Sequence, residues 1–327
     1  MLKRAVHVIL FATILFVIII PVRAWDETGH KIVAYIAWQQ MTTDVREKVI
    51  KILLSAPEDA QLSTFYMPYG SRTTDARKRE FFMFAAIWAD VIKDRNFDNR
   101  FKKYNNGNWH YFDNLWMVKD GKVEFLKGPE NGGKLMEKLT EFDKLIRGSA
   151  SNSDKAIAIA WLEHLIGDLH QPLHTTGRAF SADDKGDQGG NFFALTPKGT
   201  ANDKADNLHR FWDGVIGRNM PNTADACEAD YIDPIAQMIM KEYSYAKLQS
   251  RLADGKYEVW EKEGVDISTS EVYKDVTRYE APSDSYKKKA LKIAEERLAL
   301  AGYRMGNLFN DVFTTPPPAP ATTPPSN

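Results

Sequence analysis

The sequence predicts an all-α fold, a compact single-domain helical bundle with long loops. Apolar residues recur at helical spacing along most of the chain, whereas the alternation typical of strands is scarce. With 43% hydrophobic and 27% charged residues, the composition is that of an ordinary globular protein. The length of 327 residues would fit one large domain or two small ones, and no internal repeat divides it.

Seven stretches carry the helical pattern. They run from Ile32 to Ala37, from Thr43 as a predicted N-cap to Leu54, from Asp75 to Lys93, from Leu135 to Ile146, from Ala156 to His170, from Tyr231 to Leu248, and from Tyr286 to Phe313. Residues 56–74 and 175–206 are rich in glycine and polar side chains and are predicted to be loops. A loop as long as 175–206 is usually functional.

The two ends of the chain are predicted to lie outside the folded domain, residues 25–313. Lys3 and Arg4 precede an apolar run, and Val-Arg-Ala at 22–24 resembles a cleavage site, so residues 1–24 are predicted to be a secretory signal peptide. An uncleaved anchor is the alternative. Residues 314–327 are rich in proline and are predicted to be a disordered tail. Cleavage after Ala24 would make Trp25 the first residue.

Charge and cysteine content restrict the possible partners and the compartment. Three of the 43 basic residues lie in the leader, so 40 would remain against 44 acidic ones, which argues against a broad basic surface for duplex phosphates. Cys227 is the single cysteine, so a disulfide within the chain is excluded, and there is no N-glycosylation sequon. We therefore expect a secreted or periplasmic, bacterial protein, monomeric and with no stable membrane association after cleavage.

A polynuclear metal site is predicted around the stretch from Trp161 to His174. His164 and Asp168 are four residues apart, so they share one face of a helix, and His209 and Asp213 repeat the spacing. Pro172 should end the central helix and let His174 approach from another direction. Imidazole and carboxylate groups are ligands that zinc accepts. Either motif alone could be a capping histidine with a solvated acid, but two of them beside a further histidine favour metal binding.

Three shorter motifs complete the pattern, namely Trp25-x4-His30, Trp88-Ala-Asp90 and Trp109-His110. Together and in this order, the motifs resemble those of the S1/P1 family of zinc-dependent nucleases, within the phospholipase C/P1 nuclease superfamily. The resemblance covers essentially the whole chain after the leader. It implies the helical fold of that family and hydrolysis of phosphodiester bonds in single-stranded DNA and RNA, with release of 5′-nucleotides and removal of 3′-phosphates.

The resemblance also implies three Zn²⁺ ions and their ligands. One zinc would be bound by the amino group and carbonyl of Trp25, by His30 and by Asp168. Its neighbour would be bound by Asp90, His110, His164 and the bridging Asp168. The third would be bound by His174, His209 and Asp213. His170 matches no ligand of the family, so we expect it to have a structural role.

Further roles follow from the resemblance for residues around the metals. With Asp168, the catalytic set would include Lys93, which would also contact the substrate phosphate, and Asp113, which would orient groups near the nucleophile. Asn191, with Tyr111 or Phe192, would form a base pocket. The simpler alternatives are a solvated lysine, an aspartate in a turn and aromatic side chains of the core.

Two other functions remain possible at this point. A zinc-dependent phospholipase C would share the scaffold, but in that branch a glutamate usually replaces Asp213, and Gly-Gly-Asn-Phe at 189–192 favours the nuclease. A non-catalytic periplasmic zinc-binding protein would instead have a saturated metal site with no position open for substrate.

Overall fold

The computed structural model describes residues 25–128, 132–181, 184–224 and 226–314. These residues form 13 α-helices and three short strands. The helices are α1 (Glu27–Gln40), α2 (Thr43–Leu53), α3 (Thr74–Ala86), α4 (Trp88–Val91), α5 (Asp98–Tyr104), α6 (Leu135–Arg147), α7 (Asn152–His170), α8 (Leu208–Asp213), α9 (Val215–Asn219), α10 (Glu228–Glu242), α11 (Tyr245–Leu248), α12 (Tyr257–Ile267) and α13 (Asp284–Thr314). The strands are β1 (Asn114–Lys119), β2 (Lys122–Phe125) and β3 (Thr176–Arg178). The predicted all-α class is confirmed.

The predicted ends of the chain fall largely outside the described residues. This holds for the whole predicted signal peptide, residues 1–24, and for the predicted tail apart from Thr314, which is the last residue of α13. Within the described part of the chain, no helix is both long and apolar enough to cross a bilayer.

Helix α7 lies at the centre of the fold. The Ser151 side chain caps its first turn by accepting a hydrogen bond from the Asp154 N–H, and the helix ends at His170, two residues before Pro172. Every residue from 158 to 170 is buried, because α2, α3, α6, α12 and α13 all pack around the helix. Side chains on several faces of α7 therefore point into the interior rather than into solvent.

Helix α1 packs closely along α13. A Cβ atom at Gly302 would lie 2.5 Å from Ile36 Cβ, and one at Gly306 would lie 2.6 Å from Gln40 Cβ. The absence of these side chains allows the two backbones to approach. This contact fixes the position of α1, which carries His30 beside α7.

The structure differs from the sequence prediction at three of the predicted helices. The predicted helix from Tyr231 to Leu248 is divided into α10, which ends at Glu242, and α11, which begins at Tyr245. The predicted helix from Asp75 to Lys93 is interrupted at Ile87, so that α4 begins as a separate turn carrying Asp90. The N-cap of α2 is Thr42 rather than the predicted Thr43, because the Thr42 hydroxyl accepts from the Val45 N–H.

The small sheet was not predicted. Strands β1 and β2 form an antiparallel hairpin, and β3 pairs with β1 in parallel. The hairpin turn is Asp120-Gly121, where both residues have positive φ. Its strands show no regular alternation of buried and exposed positions, and β2 is exposed throughout. The pattern that reveals a strand in a sequence is therefore absent.

Candidate metal centre

Three groups of histidine and aspartate side chains meet in the core, and each could hold a metal ion. In each group one nitrogen or oxygen atom per residue lies within 4.8 Å of the others. The groups are His30, His164 and Asp168; Asp90, His110 and His164; and His174, His209 and Asp213. These are the eight side chains that the sequence predicted as metal ligands, and their roles as ligands remain a prediction.

Distant parts of the chain supply these side chains. Helix α1 carries His30, α4 carries Asp90, and α7 carries His164 and Asp168. His110 follows a short 3-10 turn, His174 ends the turn that begins at Pro172, and α8 carries both His209 and Asp213. The four-residue spacing on α7 and α8 places each histidine and its aspartate on one helix face.

Asp168 lies at the centre of the first two groups. Its Oδ1 is 3.3 Å from His30 Nε2, and its Oδ2 is 3.1 Å from His110 Nδ1 and 3.5 Å from His164 Nε2. Asp90 Oδ1 lies 3.8 Å from His164 Nε2. One carboxylate thus faces both groups through different oxygens, which is the geometry that a bridging ligand needs.

The third group lies around Asp213. Its Oδ1 is 3.9 Å from His174 Nε2, and its Oδ2 is 3.5 Å from His209 Nε2. Gln171 Nε2 donates to Asp213 Oδ1 at 2.7 Å and so fixes the orientation of the carboxylate. This role of Gln171 was not predicted from the sequence, although the residue stands inside the central motif.

Backbone carbonyls orient three of the imidazole rings. His164 Nδ1 is 2.8 Å from Ala86 O, His174 Nδ1 is 2.6 Å from His110 O, and His209 Nδ1 is 2.8 Å from Gly189 O. A carbonyl can only accept, so in each ring Nδ1 donates and Nε2 keeps its lone pair. This is the arrangement typical of histidines that bind metal ions through Nε2.

Glycine at position 167 permits the close packing of His30. A Cβ atom there would lie 2.6 Å from His30 Nδ1. The His30 ring consequently stacks on the His164 ring, with centroids 3.9 Å apart. A side chain at this position of α7 would displace His30 from the first group.

The protonation states of the centre suit a cation. Burial lowers the pKa of His30, His110 and His174 well below the usual histidine value and lowers that of His164 to about 4. These rings are neutral and can act as ligands. Burial, and to a smaller extent the nearby Asp90 carboxylate, raise the pKa of Asp168 and Asp213, so a bound cation would stabilise their ionised forms.

Several buried polar atoms of the centre have no hydrogen-bond partner. They include Asp168 Oδ1, His30 Nε2 and His174 Nε2. Buried polar groups in folded proteins are almost always paired, because burying them unpaired is costly. Bound metal ions would satisfy these atoms, so the residues present fit a metal centre.

The segment that begins at Trp25 lies against the third group. The Trp25 side chain is fully buried, and the Asp26 N–H donates to the Asp213 carbonyl oxygen at 3.0 Å. Asp26 also caps α1, the helix that carries His30, by accepting from the Gly29 N–H. Through these contacts Trp25 is held beside the elements that form the centre.

His170 is separate from the three groups. Its Nδ1 is 2.7 Å from Ile166 O, and its Nε2 is 2.7 Å from Arg304 Nη1, which donates to it. Both ring nitrogens are therefore used in contacts within the protein. This environment matches the structural role expected for His170.

Lys93 lies at the edge of the second group. Its Nζ is 2.6 Å from Asp90 Oδ1, which places an ammonium group next to the predicted metal ligands.

Asp113 lies near a second carboxylate, that of Asp187. Burial and the charge of Asp187 raise the pKa of Asp113 to about 7. Asp187 accepts from the N–H groups of Arg178 and Gly190 and from the Tyr273 hydroxyl. The sequence analysis did not single out Asp187; its position beside Gly189-Gly190 was the available signal.

The predicted base-pocket residues occupy two loops. Asn191 and Phe192 follow the turn at Gly189-Gly190, whose carbonyl at Gly189 accepts from His209. The Asn191 side-chain amide donates to Gln188 O, and 58% of Phe192 is exposed. Tyr111 is half-buried beside Gly133. The Asn191 loop is thus attached to the third group.

Comparison with known proteins agrees with this geometry. Residues 25–314 match the family model described as S1/P1 Nuclease. The chain is 24% identical to Endonuclease 2 of Arabidopsis thaliana, over 95% of this chain and 99% of that protein. It is also 24% identical to Nuclease S1 of Aspergillus oryzae, over 89% and 93% of the two chains.

A shorter match gives 26% identity to Endonuclease 4 of Arabidopsis thaliana, over 53% of this chain and 58% of that protein. These relatives come from a plant and a fungus, so they give no support to the expected bacterial source. The family match covers both the predicted metal ligands and the fold that carries them. The chain therefore belongs to the S1/P1 nuclease family and is a nuclease, a hydrolase that cleaves phosphodiester bonds.

Proposed function

We propose that this nuclease is a secreted three-zinc enzyme that cleaves single-stranded DNA and RNA, releases 5′-nucleotides and also removes 3′-phosphates. The observation that carries the proposal is the convergence of three histidine–aspartate groups, two of which share His164 and face Asp168. In the proposal, Trp25, His30 and Asp168 hold one zinc. Asp90, His110, His164 and Asp168 hold its neighbour, and His174, His209 and Asp213 hold the third.

When bound, the zinc ions would offset the charge of the phosphodiester and make the attacking water more acidic. The side chains of this chain have separate tasks. Asp168 positions two adjacent sites through its two oxygens. Lys93 contacts a phosphate oxygen from beside Asp90, and Asp113 orients the nucleophile. A carboxyl group with a pKa of about 7 can accept a proton near neutral pH and give it back.

A preference for single strands is supported by charge and by aromatic exposure. The chain has 43 basic and 44 acidic residues, so it lacks the excess of positive charge typical of proteins that grip duplex phosphates. Phe192 is largely exposed next to Asn191, and stacking on an aromatic side chain requires an unpaired base. Asn191 and Phe192, with Tyr111, would hold that base.

Secretion and chemistry are linked at Trp25. An α-amino group has a pKa near ~7.7–8.0 and can bind zinc, whereas the amide nitrogen formed by a preceding residue is a poor ligand. Cleavage after Ala24 would create this amino group next to the metal centre. A protein with even one residue before Trp25 should then lose activity and zinc, and proteolytic exposure of Trp25 should restore both.

The substrate is tested with the zinc-loaded protein that begins at Trp25. Single-stranded DNA, RNA, duplex DNA of the same sequence and phosphatidylcholine are offered in parallel, and the termini of the products are identified. We expect rapid cleavage of both single strands with 5′-phosphate products, and little reaction with the duplex or the lipid. Equal rates on single and double strands, or products with 3′-phosphates, would refute the proposed specificity.

A further inference from the structure

A cavity of about 700 Å³ adjoins the metal centre on the side of Lys93. Its lining includes Asp90 and Lys93 together with Phe65, Asp94, Phe97 and Arg100. Because Asp90 also belongs to the second metal group, the cavity begins where the proposed reaction takes place. A volume of this size can hold a drug-sized ligand or one nucleotide.

Arg100 is an unusual cation for a protein interior. Only 5% of its surface is exposed, and its guanidinium donates to two neutral acceptors, Gln61 Oε1 at 2.9 Å and Val91 O at 3.1 Å. Its Nε is buried without a hydrogen-bond partner. Buried charges are normally paired with an opposite charge. Arg100 therefore brings to the wall of the cavity a positive charge whose hydrogen bonds go to neutral groups.

The backbone at Gln61 supports this arrangement. Gln61 also lines the cavity and has a φ of 53°, a left-handed conformation that is strained for a residue with a Cβ atom. In this conformation its side chain accepts from Arg100 Nη1. A left-handed residue often ends a helical turn, and Gln61 directly follows the 3-10 turn Glu58–Ala60.

Aromatic surface lies next to this charge. The Arg100 guanidinium lies 4.4 Å from the centroid of the Phe97 ring, and 46% of Phe97 is exposed. Phe65 adds a second, half-buried ring to the lining. A buried cation beside an accessible aromatic side chain is the combination that binds a phosphate and stacks a base.

The other charges of the lining are compatible with an anion. Lys93 adds a positive charge, and Asp90 would be neutralised by the metal that it is proposed to hold. Asp94 is exposed, where solvent screens its charge, and its carboxylate accepts from the Asn96 N–H. The charge of Asp94 acts on Arg100, but because Asp94 is exposed, solvent weakens this interaction.

We propose that this cavity is a subsite for the first nucleotide beyond the two that flank the scissile bond, in which Arg100 binds that nucleotide's phosphate and Phe97 stacks on its base. The inference rests on the proposed nuclease function and adds to it a reason why longer strands are better substrates. A dinucleoside monophosphate has only the scissile phosphate, so it cannot use Arg100. A tetranucleotide has further phosphates, so it can use Arg100.

The test compares cleavage of these two substrates, with the same base throughout, by wild-type enzyme and by Arg100→Gln. We expect kcat/KM on the tetranucleotide to fall about tenfold through KM, which corresponds to one lost hydrogen bond to a charged group. The value on the dinucleoside monophosphate should stay unchanged. Phe97→Ala should give the same selective loss of kcat/KM on the tetranucleotide. Because the Phe97 side chain is half exposed, this variant should still fold if Arg100→Gln does not.

Arg46→Gln is the matched control. Like Arg100, Arg46 donates to neutral acceptors, in its case two backbone carbonyls, and stacks on an aromatic ring, that of Trp38. It does not line this cavity. Arg46→Gln should leave kcat/KM unchanged on both substrates. An equal loss on the two substrates, or no loss in both the Arg100 and Phe97 variants, would overturn the subsite.

Binding of the tetranucleotide to metal-free enzyme separates this inference from the proposed function. We expect weaker binding by Arg100→Gln than by wild type in the presence of a chelator. If the zinc-loaded wild type cleaves neither substrate, the proposed function fails, while the binding comparison still decides on the subsite. Equal binding by the two proteins would contradict it.

Discussion

Helix α7 contributes to two buried polar clusters that differ in how their hydrogen bonds are satisfied. The metal centre uses His164 and Asp168, and it leaves Asp168 Oδ1 and other buried atoms without a partner. The arginine cluster consists of His170, Glu263, Arg297 and Arg304. In it, both guanidinium groups pair with Glu263, and both nitrogens of His170 have partners.

The comparison separates structural from functional histidines on one helix. Burial lowers the pKa of both His164 and His170, so both rings are neutral, and both are fully buried. The two clusters differ in their hydrogen bonds: the groups of the arginine cluster pair with one another, whereas the candidate metal centre has buried atoms without partners, which bound cations would satisfy. On this helix, burial and pKa do not distinguish His164 from His170, whereas the hydrogen-bond partners of their clusters do.

The largest effect is expected from Asp168→Asn. Removal of a residue that only supports a metal ligand typically costs ~10–100-fold in activity. Because Asp168 is proposed to bind two metal ions itself, the variant should lose more than this. It should also bind less zinc. Without metal it should be at least as stable as wild type, because burial raises the pKa of Asp168 and makes its ionised form costly. Activity, zinc content and melting temperature in a chelator check this, and a strongly destabilised metal-free variant would contradict it.

The reverse outcome is expected for Glu263→Gln in the arginine cluster. Two buried guanidinium groups would lose their carboxylate, which typically costs ~3–5 kcal/mol in the free energy of unfolding. The folded fraction should keep its zinc and its activity. The control is Asp266→Asn, which breaks an exposed ion pair with Lys262 on the same helix and should cost only ~0–1 kcal/mol. Urea unfolding measures the free energy of unfolding of both variants. Equal losses in Glu263→Gln and Asp266→Asn would contradict the structural role of the arginine cluster.

His170→Ala and His174→Ala test the two kinds of histidine directly. His170→Ala removes one acceptor from the Arg304 guanidinium and should lower the free energy of unfolding by ~1–3 kcal/mol, with zinc content and activity retained. His174→Ala should remove a zinc ion and most activity. Elemental analysis and the nuclease assay distinguish them. If both variants lose metal, His170 has been misassigned.

The smallest effect concerns protons released on zinc binding. Asp168 and Asp213 have raised pKa values, so at about pH 5, above the usual aspartate range, the metal-free protein should hold protons on them. The buried histidines have lowered pKa values and should hold none there. Zinc should therefore displace carboxyl protons, and Asp168→Asn should release fewer. Calorimetry in buffers of different ionisation enthalpy counts the released protons. If Asp168→Asn releases as many protons as wild type, the assignment of a displaced proton to Asp168 is contradicted.

The metal centre was easier to predict from the sequence than its surroundings. The spacing of His164 and Asp168, repeated at His209 and Asp213, survives in the structure because helix geometry is local. The break at Ile87 was not visible, since the apolar stripe continues through it. The β1–β2 hairpin was missed because its strands do not alternate.

The hydrogen bonds that orient these side chains could not be predicted from the sequence. The hydrogen bonds from Gln171 to Asp213 and from His164 to the Ala86 carbonyl depend on how separate elements pack. The same holds for Arg100 and Gln61, which are 39 residues apart and meet at the cavity wall. Patterns in the sequence identify which residues bear the chemistry, and packing decides how they are oriented.

The number of zinc ions bound tests the central claim most directly. Protein that begins at Trp25 is dialysed against zinc, freed of excess metal by gel filtration, and analysed for metal content per folded chain. We predict three zinc ions, because three groups of ligand atoms meet in the core. One zinc ion or none under these conditions would contradict the three-metal centre.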